Sequence, residues 1–304
     1  DEKGHPTGGY FKPSKEANKL IEEFMLLANR RVAEFIGHPA SGKKAPTFVY
    51  RIHEQPLPEK LEDFNRFISR FGYGVKTGSR KALTTSMNRL MAEVREKPEQ
   101  NLIQTLAVRT MAKAEYSTDN CGHYGLAFDY YTHFTSPIRR YPDVMVHRLL
   151  QRYLDAGRSV NKEKFEEFCK HSSDMEQVAA NAERASIKYK QVEFMADRMG
   201  QEFEGTISGV THWGFYVELE ESKCEGMVSM RELDDDAYEY DEKNYCIYGR
   251  YHHKVYQLGN KVRIRVAKAN LVARQLDFEL VASPDSPNGA PEKKNDKRRR
   301  GRRK

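Results

Sequence analysis

Two adjacent arginines, Arg139 and Arg140, stand directly before Tyr141-Pro142-Asp143 and a run in which Val144, Met145, Leu149 and Leu150 fall at helical spacing. That order predicts a loop feeding a helix N-terminus. Proline suits a first turn, where its missing N–H would have no partner, and Asp143 suits the positive end of the helix dipole. Two guanidinium forks beside free backbone N–H groups make a site for an oxyanion, above all a phosphate. The competing reading is an ordinary loop whose arginines pair with surface carboxylates. Two helical glutamates are further candidates. Glu22, with Glu23 as the register alternative, sits at the edge of an apolar stripe, where a carboxylate can face a cleft; a solvated helix-face charge is the plainer reading. Glu183, in an Ala-Glu-Arg triplet, reads without other information as an exposed partner for Lys188 or a neighbour. The run Asp234-Asp235-Asp236 invites a metal assignment, but no partner ligands converge on it from another element, and a solvated acidic loop explains it.

The elements that must position these groups can be read from periodicity. A helix is predicted over 14–36, with Leu20, Ile21, Phe24, Met25, Ala28, Val32, Phe35 and Ile36 in one stripe. A strand is predicted over 45–52, with Arg51 and a structural His53 at its end. Helices follow over 58–71, 80–96 and 99–115, the last two separated at Lys97-Pro98-Glu99. The helix after Arg140 runs to about 154, and another spans about 161–198, with Ser172-Ser173 as a candidate break. At Gly200 the period drops to two, giving five strands: 201–208, 214–219, 226–229, 259–267 and 275–280. The chain is therefore α+β: a mostly helical domain over 1–198, a five-stranded OB-fold β-barrel over 200–281 and a disordered basic tail over 282–304.

Composition limits what such a chain can do. Its 304 residues allow one large or two moderate domains; 38% are hydrophobic and 31% charged, with a net charge of +7 that permits a polyanionic partner. The cysteines at 121, 169, 224 and 246 form no C-x-x-C pair, which argues against zinc and for reduced thiols in the cytoplasm. No apolar run approaches the roughly 18 residues of a membrane span, and no signal-peptide layout is present. The tail holds nine Lys/Arg against three acids, +6 of the +7. A segment of that composition cannot bury enough apolar area to order itself, and it suits sequence-independent phosphate contact.

The stretch HFTSPIRRYPDVMVHR, His133 to Arg148, resembles the signature of the ribonuclease II/ribonuclease R family of 3'→5' exoribonucleases. His123 to Ala127 and Ile21 to Asn29 resemble two further family motifs in the same order, and the basic tail points to the ribonuclease R branch. The resemblance makes residues 1–198 the C-terminal part of the family's RNB-type catalytic domain. It implies hydrolysis of single-stranded RNA to nucleoside 5'-monophosphates, with Arg139 stabilising charge on the phosphate and Glu22 and Glu183 holding the terminal sugar through its 2'-hydroxyl. It also implies divalent metal, usually Mg2+, on aspartates that the family carries upstream of the first helix. The expectation is that this chain begins just beyond them and, alone, binds RNA without degrading it; the alternative is a non-catalytic RNA-binding protein or an inactive fragment. A monomer, and structured RNA or ribosomes as partners of the tail, are further implications.

Gly209-Val210 to Leu219 resembles the OB-fold RNA-binding repeat named after a ribosomal protein. Strand alternation puts Phe215 and Tyr216 on opposite faces, one of them in the core. By family analogy Phe215 is the exposed base-stacking residue, with His212 and Trp213 beside it. Arg263 and Arg265 share a strand face and are expected to hold phosphates, as is Arg140.

Overall fold

The computed structural model describes residues 1–2, 4–9, 13–39, 44–97, 99–242 and 244–282. It divides into two units, Gly8–Tyr189 and Asp1–Thr7 with Lys190–Lys304. The basic tail expected over 282–304 lies, apart from the backbone of Ala282, outside the described residues. Among those residues no helix is long and apolar enough to cross a membrane.

The first unit opens with α1 (Glu16–Gly37). Its apolar stripe is buried only at its C-terminal half, where Ala33 and Ile36 join a core with Phe48, Val49, Tyr50 and Ile52. Leu20, Ile21 and Phe24, expected to face inward, are each more than half exposed, because that core does not extend along the first turns of the helix; Phe35, in the last turn, is equally exposed because it lies off the face that buries Ala33 and Ile36. Strand β1 (Tyr50–His53) is shorter than predicted. Its pairing ends where its antiparallel partner ends, although Phe48 and Val49 before it are fully buried. Helices α2 (Pro58–Ile68), α3 (Arg80–Glu93) and α4 (Gln100–Thr110) follow. Helix α4 stops five residues early: β2 (Ala114–Ser117) is drawn into register with β1, Tyr116 opposite Arg51. Helix α5 (Tyr141–Leu154) buries Met145, Val146 and Leu149 in the same core.

Helix α6 (Lys162–Ala196) is continuous across the serines predicted as a break. Ser172 and Ser173 return their hydroxyls to the carbonyls of Phe168 and Cys169, at 2.7 and 3.0 Å, which satisfies them inside the helix.

In the second unit, β3 (Glu202–Thr211), β4 (Gly214–Leu219) and β5 (Glu225–Ser229) open a barrel. Strands β6 (Tyr238–Asp241), β7 (Cys246–Gly249) and β8 (Val255–Gln257) form a separate antiparallel sheet. Strands β9 (Lys261–Asn270) and β10 (Gln275–Ala282) then close the barrel in the order β10-β5-β4-β3-β9. The five barrel strands are those expected from the period-two pattern; the extra sheet was hidden because its segments are only three or four residues long, too short to show a period. Ile207, Val217, Val228, Val262, Ile264 and Phe278 fill the barrel, and Val192 and Met195 of α6 belong to the same cluster. Gly226 admits the Phe278 ring: a Cβ there would come within 2.5 Å of it.

Candidate functional site

The arginine pair is built around a buried carboxylate. Asp143, in the first turn of α5, is wholly buried and accepts the Ser136 N–H at 2.7 Å and an Arg140 Nη2–H at 2.9 Å. Arg140 Nε also lies 2.9 Å from Asp143 Oδ2, an ion pair whose N–H is not aligned for a hydrogen bond. The Arg139 and Arg140 amides both return to the Ser136 carbonyl, closing a turn. Arg140 is therefore held by the fold, whereas Arg139 is exposed. The expectation that both forks reach outward is corrected for Arg140: a fully buried acid takes the nearest guanidinium, since an unpaired charge there would cost several kcal/mol, on the order of 3–5.

Both arginines line a cleft of about 630 Å³ whose far wall is α6, carrying Glu176, Ala179 and Glu183. Arg140 also lines a smaller pocket of about 220 Å³ against α1, with Glu22, Asn29, Tyr131 and Thr135. Glu22 belongs to that wall and Glu23 does not. Arg140 thus borders both spaces, one holding Glu183 and the other Glu22.

The loop's position is set from behind. Buried Asn29 donates to the Tyr131 hydroxyl at 3.1 Å and accepts the Phe134 N–H at 2.9 Å, tying α1 to the chain entering the arginine turn. Tyr116, on the cleft wall, is 2.8 Å from His133 Nδ1. Burial, then the charges of Arg140 and Arg51, push His133 down to about 3, so it is neutral at ordinary pH. Burial also pushes the Tyr116 phenol up to about 12. Arg51 lies over the Tyr116 ring at 4.6 Å and grips Glu176 with both nitrogens, at 2.7 and 3.3 Å. His53 does structural work: its Nδ1 accepts the Gly125 N–H at 3.1 Å and its ring stacks on His123.

On the barrel, His212 and Trp213 occupy the β3–β4 turn, both exposed, their rings 4.3 Å apart. Phe215 is not exposed. It is 0% accessible and stacks on Tyr256 in the core, while Tyr216 is the outward aromatic at 37%. The alternation Phe215, Val217, Leu219 inward and Tyr216, Glu218 outward is written in the segment itself, and the family analogy had reversed it. Arg263 and Arg265 share a face as expected, but that face is self-paired: Glu202 binds both, at 3.2 and 2.7 Å, with Glu204 and Glu279 3.8 Å away. The acidic run is less solvated than its composition suggests. The buried Asp236 carboxylate accepts the N–H groups of Ala237, Tyr251 and His252, and Asp235 pairs with Lys254. Among the described residues no group of three or more His, Cys, Asp or Glu is placed to hold a metal.

The RNB domain model matches residues 1–156, more than half of the chain, and the S1 RNA binding domain model matches 197–280. The chain belongs to the ribonuclease II/ribonuclease R family. Ribonuclease R of Aquifex aeolicus is 39% identical over 288 residues, covering 92% of this chain and 39% of that protein. Ribonuclease R of Thermotoga maritima is 38% identical, covering 87% and 37%. The structure of Mycoplasma genitalium RNase R in complex with ribose methylated single-stranded RNA superposes with a TM-score of 0.82 at 25% identity, covering 92% of this chain and 44% of that one. The chain thus spans well under half the length of these family members. Sequence reasoning nominated Arg139, Glu22 and Glu183 through the family motifs, and each lines one of these two spaces. It missed Asn29, Glu176 and the burial of Asp143, for which the only local signal was an acid three residues after Arg140.

Proposed function

We propose that this chain supplies the substrate-holding side of a 3'→5' exoribonuclease site, with Arg139 on the phosphate of the RNA end and Glu22 and Glu183 on its sugar. The observation that carries this reading is the shared wall: Arg140, fixed by Asp143, borders both the cleft with Arg139 and Glu183 and the pocket with Glu22. The three residues implied by the family therefore surround one turn of chain. Exposed and unpaired in the described residues, Arg139 offers a full fork to a phosphate oxygen that gains charge as a phosphodiester is attacked. Loss of one such donor typically costs about 10²–10³ in rate. A carboxylate accepting a 2'-hydroxyl favours RNA over DNA.

The family uses divalent metal, with Mg2+ the expected ion, and the groups present here do not fit it. Glu22 and Glu183 line different spaces and Glu176 is engaged by Arg51, so these carboxylates do not converge on one ion. No hydrolytic step is assigned to this chain alone. In the complete enzyme, which we place in the cytoplasm as a monomer, residues 1–198 complete the site that releases nucleoside 5'-monophosphates. The barrel at 200–281 holds the strand through His212, Trp213 and Tyr216, and the tail at 282–304 adds contacts to structured RNA or ribosomes.

The test uses the purified chain with a 5'-labelled oligoribonucleotide. Fluorescence anisotropy is expected to show binding that Arg139→Ala weakens, with no release of mononucleotide in magnesium buffer. Magnesium-dependent shortening of the RNA by the wild-type chain, or unchanged affinity in Arg139→Ala, overturns the reading.

A further inference from the structure

The cleft contains side chains that handling of phosphate and sugar leaves unused. Tyr141, two residues after Arg139, lines the cleft and is 56% exposed. Among the described residues no side-chain hydrogen bond or ring stack ties its phenol to the fold. Across the cleft, Met175, Ala179 and Glu183 follow one another at i, i+4 and i+8 along α6, so they form one row on that helix. Met175 is 47% exposed. A large aromatic and a thioether left open to water inside a cleft that also holds arginines and glutamates have the composition of a ligand site, with apolar surface for the body of the ligand and a few polar groups to orient it. Ala179, the next residue of that row, adds little bulk to the wall.

We propose that Tyr141 and Met175 form a slot for a nucleobase of the bound strand, resting on the assignment of this cleft to an RNA end. Tyrosine faces stack on bases of any identity, and methionine sulfur packs readily on aromatic rings. Met175 stands two helical turns from Glu183, about 12 Å along the axis. The base in the slot is therefore not the one whose sugar meets Glu183 but one further into the strand, within the second to fourth nucleotides from the 3' end. The slot is indifferent to sequence, since stacking reads the π-face and not the base edges. Tyr141 is thus a positioning residue that sets how far the strand advances toward Arg139.

The experiment is a cycle between protein and RNA. Oligoribonucleotides carry a single abasic site at each of the last six positions, and affinities are measured for the wild-type chain, Tyr141→Ala, Tyr141→Phe and Met175→Gln. For intact RNA, Tyr141→Ala is expected to lose on the order of tenfold in affinity, the scale of one stacked base, and Tyr141→Phe to retain it. One abasic position among the second to fourth nucleotides should weaken wild-type binding by a similar factor and have no effect on Tyr141→Ala. Independent, multiplying losses at every position overturn the slot, as does failure of Tyr141→Phe to retain binding. Arg139→Ala serves as the control for the underlying assignment. If it binds as wild type, the RNA-end reading itself fails; if it weakens binding while the Tyr141 cycle shows no coupling, only the slot fails.

Discussion

The Arg140–Asp143 pair gives the sharpest test of which arginine serves the fold and which serves the ligand. Asp143 has no solvent access and Arg140 about a fifth of its side-chain surface, so the pair lies near the buried limit. Arg140→Met leaves the carboxylate buried and uncompensated, at a cost of about 3–5 kcal/mol. Asp143→Asn retains an oxygen for the Ser136 N–H but strands a guanidinium that water partly reaches, at about 1–3 kcal/mol. The double variant leaves no net charge in the interior and should cost less than the sum of the two by about 2 kcal/mol or more. For a unit of the size of Gly8–Tyr189, each kcal/mol moves the melting temperature by about 2–4 °C, so Arg140→Met is expected to melt about 6–20 °C below the wild type. Urea and thermal unfolding of the four proteins supply the cycle, and anisotropy with labelled RNA supplies the functional axis. Single costs that add within about 0.5 kcal/mol, together with an Arg140→Met affinity loss equal to that of Arg139→Ala, would show Arg140 to be a ligand contact and refute the assignment.

Other outcomes follow from the same reasoning. Phe215→Ala should lose about 3–5 kcal/mol of barrel stability, as expected for an aromatic removed from a full core. Tyr216→Ala should stay within about 0.5 kcal/mol of wild type while weakening RNA binding, and the reverse pattern would restore the original orientation. Because His133 sits near 3 and His123 near 4 when folded, against 6.5 unfolded, the unfolded chain binds more protons between those values. Stability should therefore fall as pH drops from 6.5 toward 4, by up to about 1.4 kcal/mol per pH unit for each histidine. In His133→Gln a slope as steep as wild type in urea titrations would discount that residue. Deleting residues 285–304 should weaken binding to any RNA and flatten its log–log salt dependence; an unchanged slope removes the tail as a phosphate contact.

Where the sequence was legible, a strong period or a long motif carried the signal. The barrel strands follow from inward positions such as Val217, Leu219, Val262 and Ile264, each alternating with a more polar neighbour. The arginine turn follows from the motif and from Pro142. Illegible features depended on partners distant in sequence. Burial of Asp143 is created by the packing of α5 into its core, of which its neighbours in the chain give no hint; the same holds for Arg51, which needs α6 to reach Glu176, 125 residues away. Whether an arginine is free depends on which carboxylates the fold brings to it, and that separates Arg139 from Arg140, Arg263 and Arg265.

The self-paired face of the barrel has a consequence for how affinity can be tuned. Two positive groups, Arg263 and Arg265, face three negative ones, Glu202, Glu204 and Glu279, and Glu202 touches both arginines. With its positive charge matched by carboxylates, that surface offers a polyanion little attraction. Replacing Glu202 alone would remove the carboxylate that both arginines share, leaving each with one acid 3.8 Å away. A single codon would thereby take the patch from one excess negative charge to neutrality, without any change in the fold beneath it.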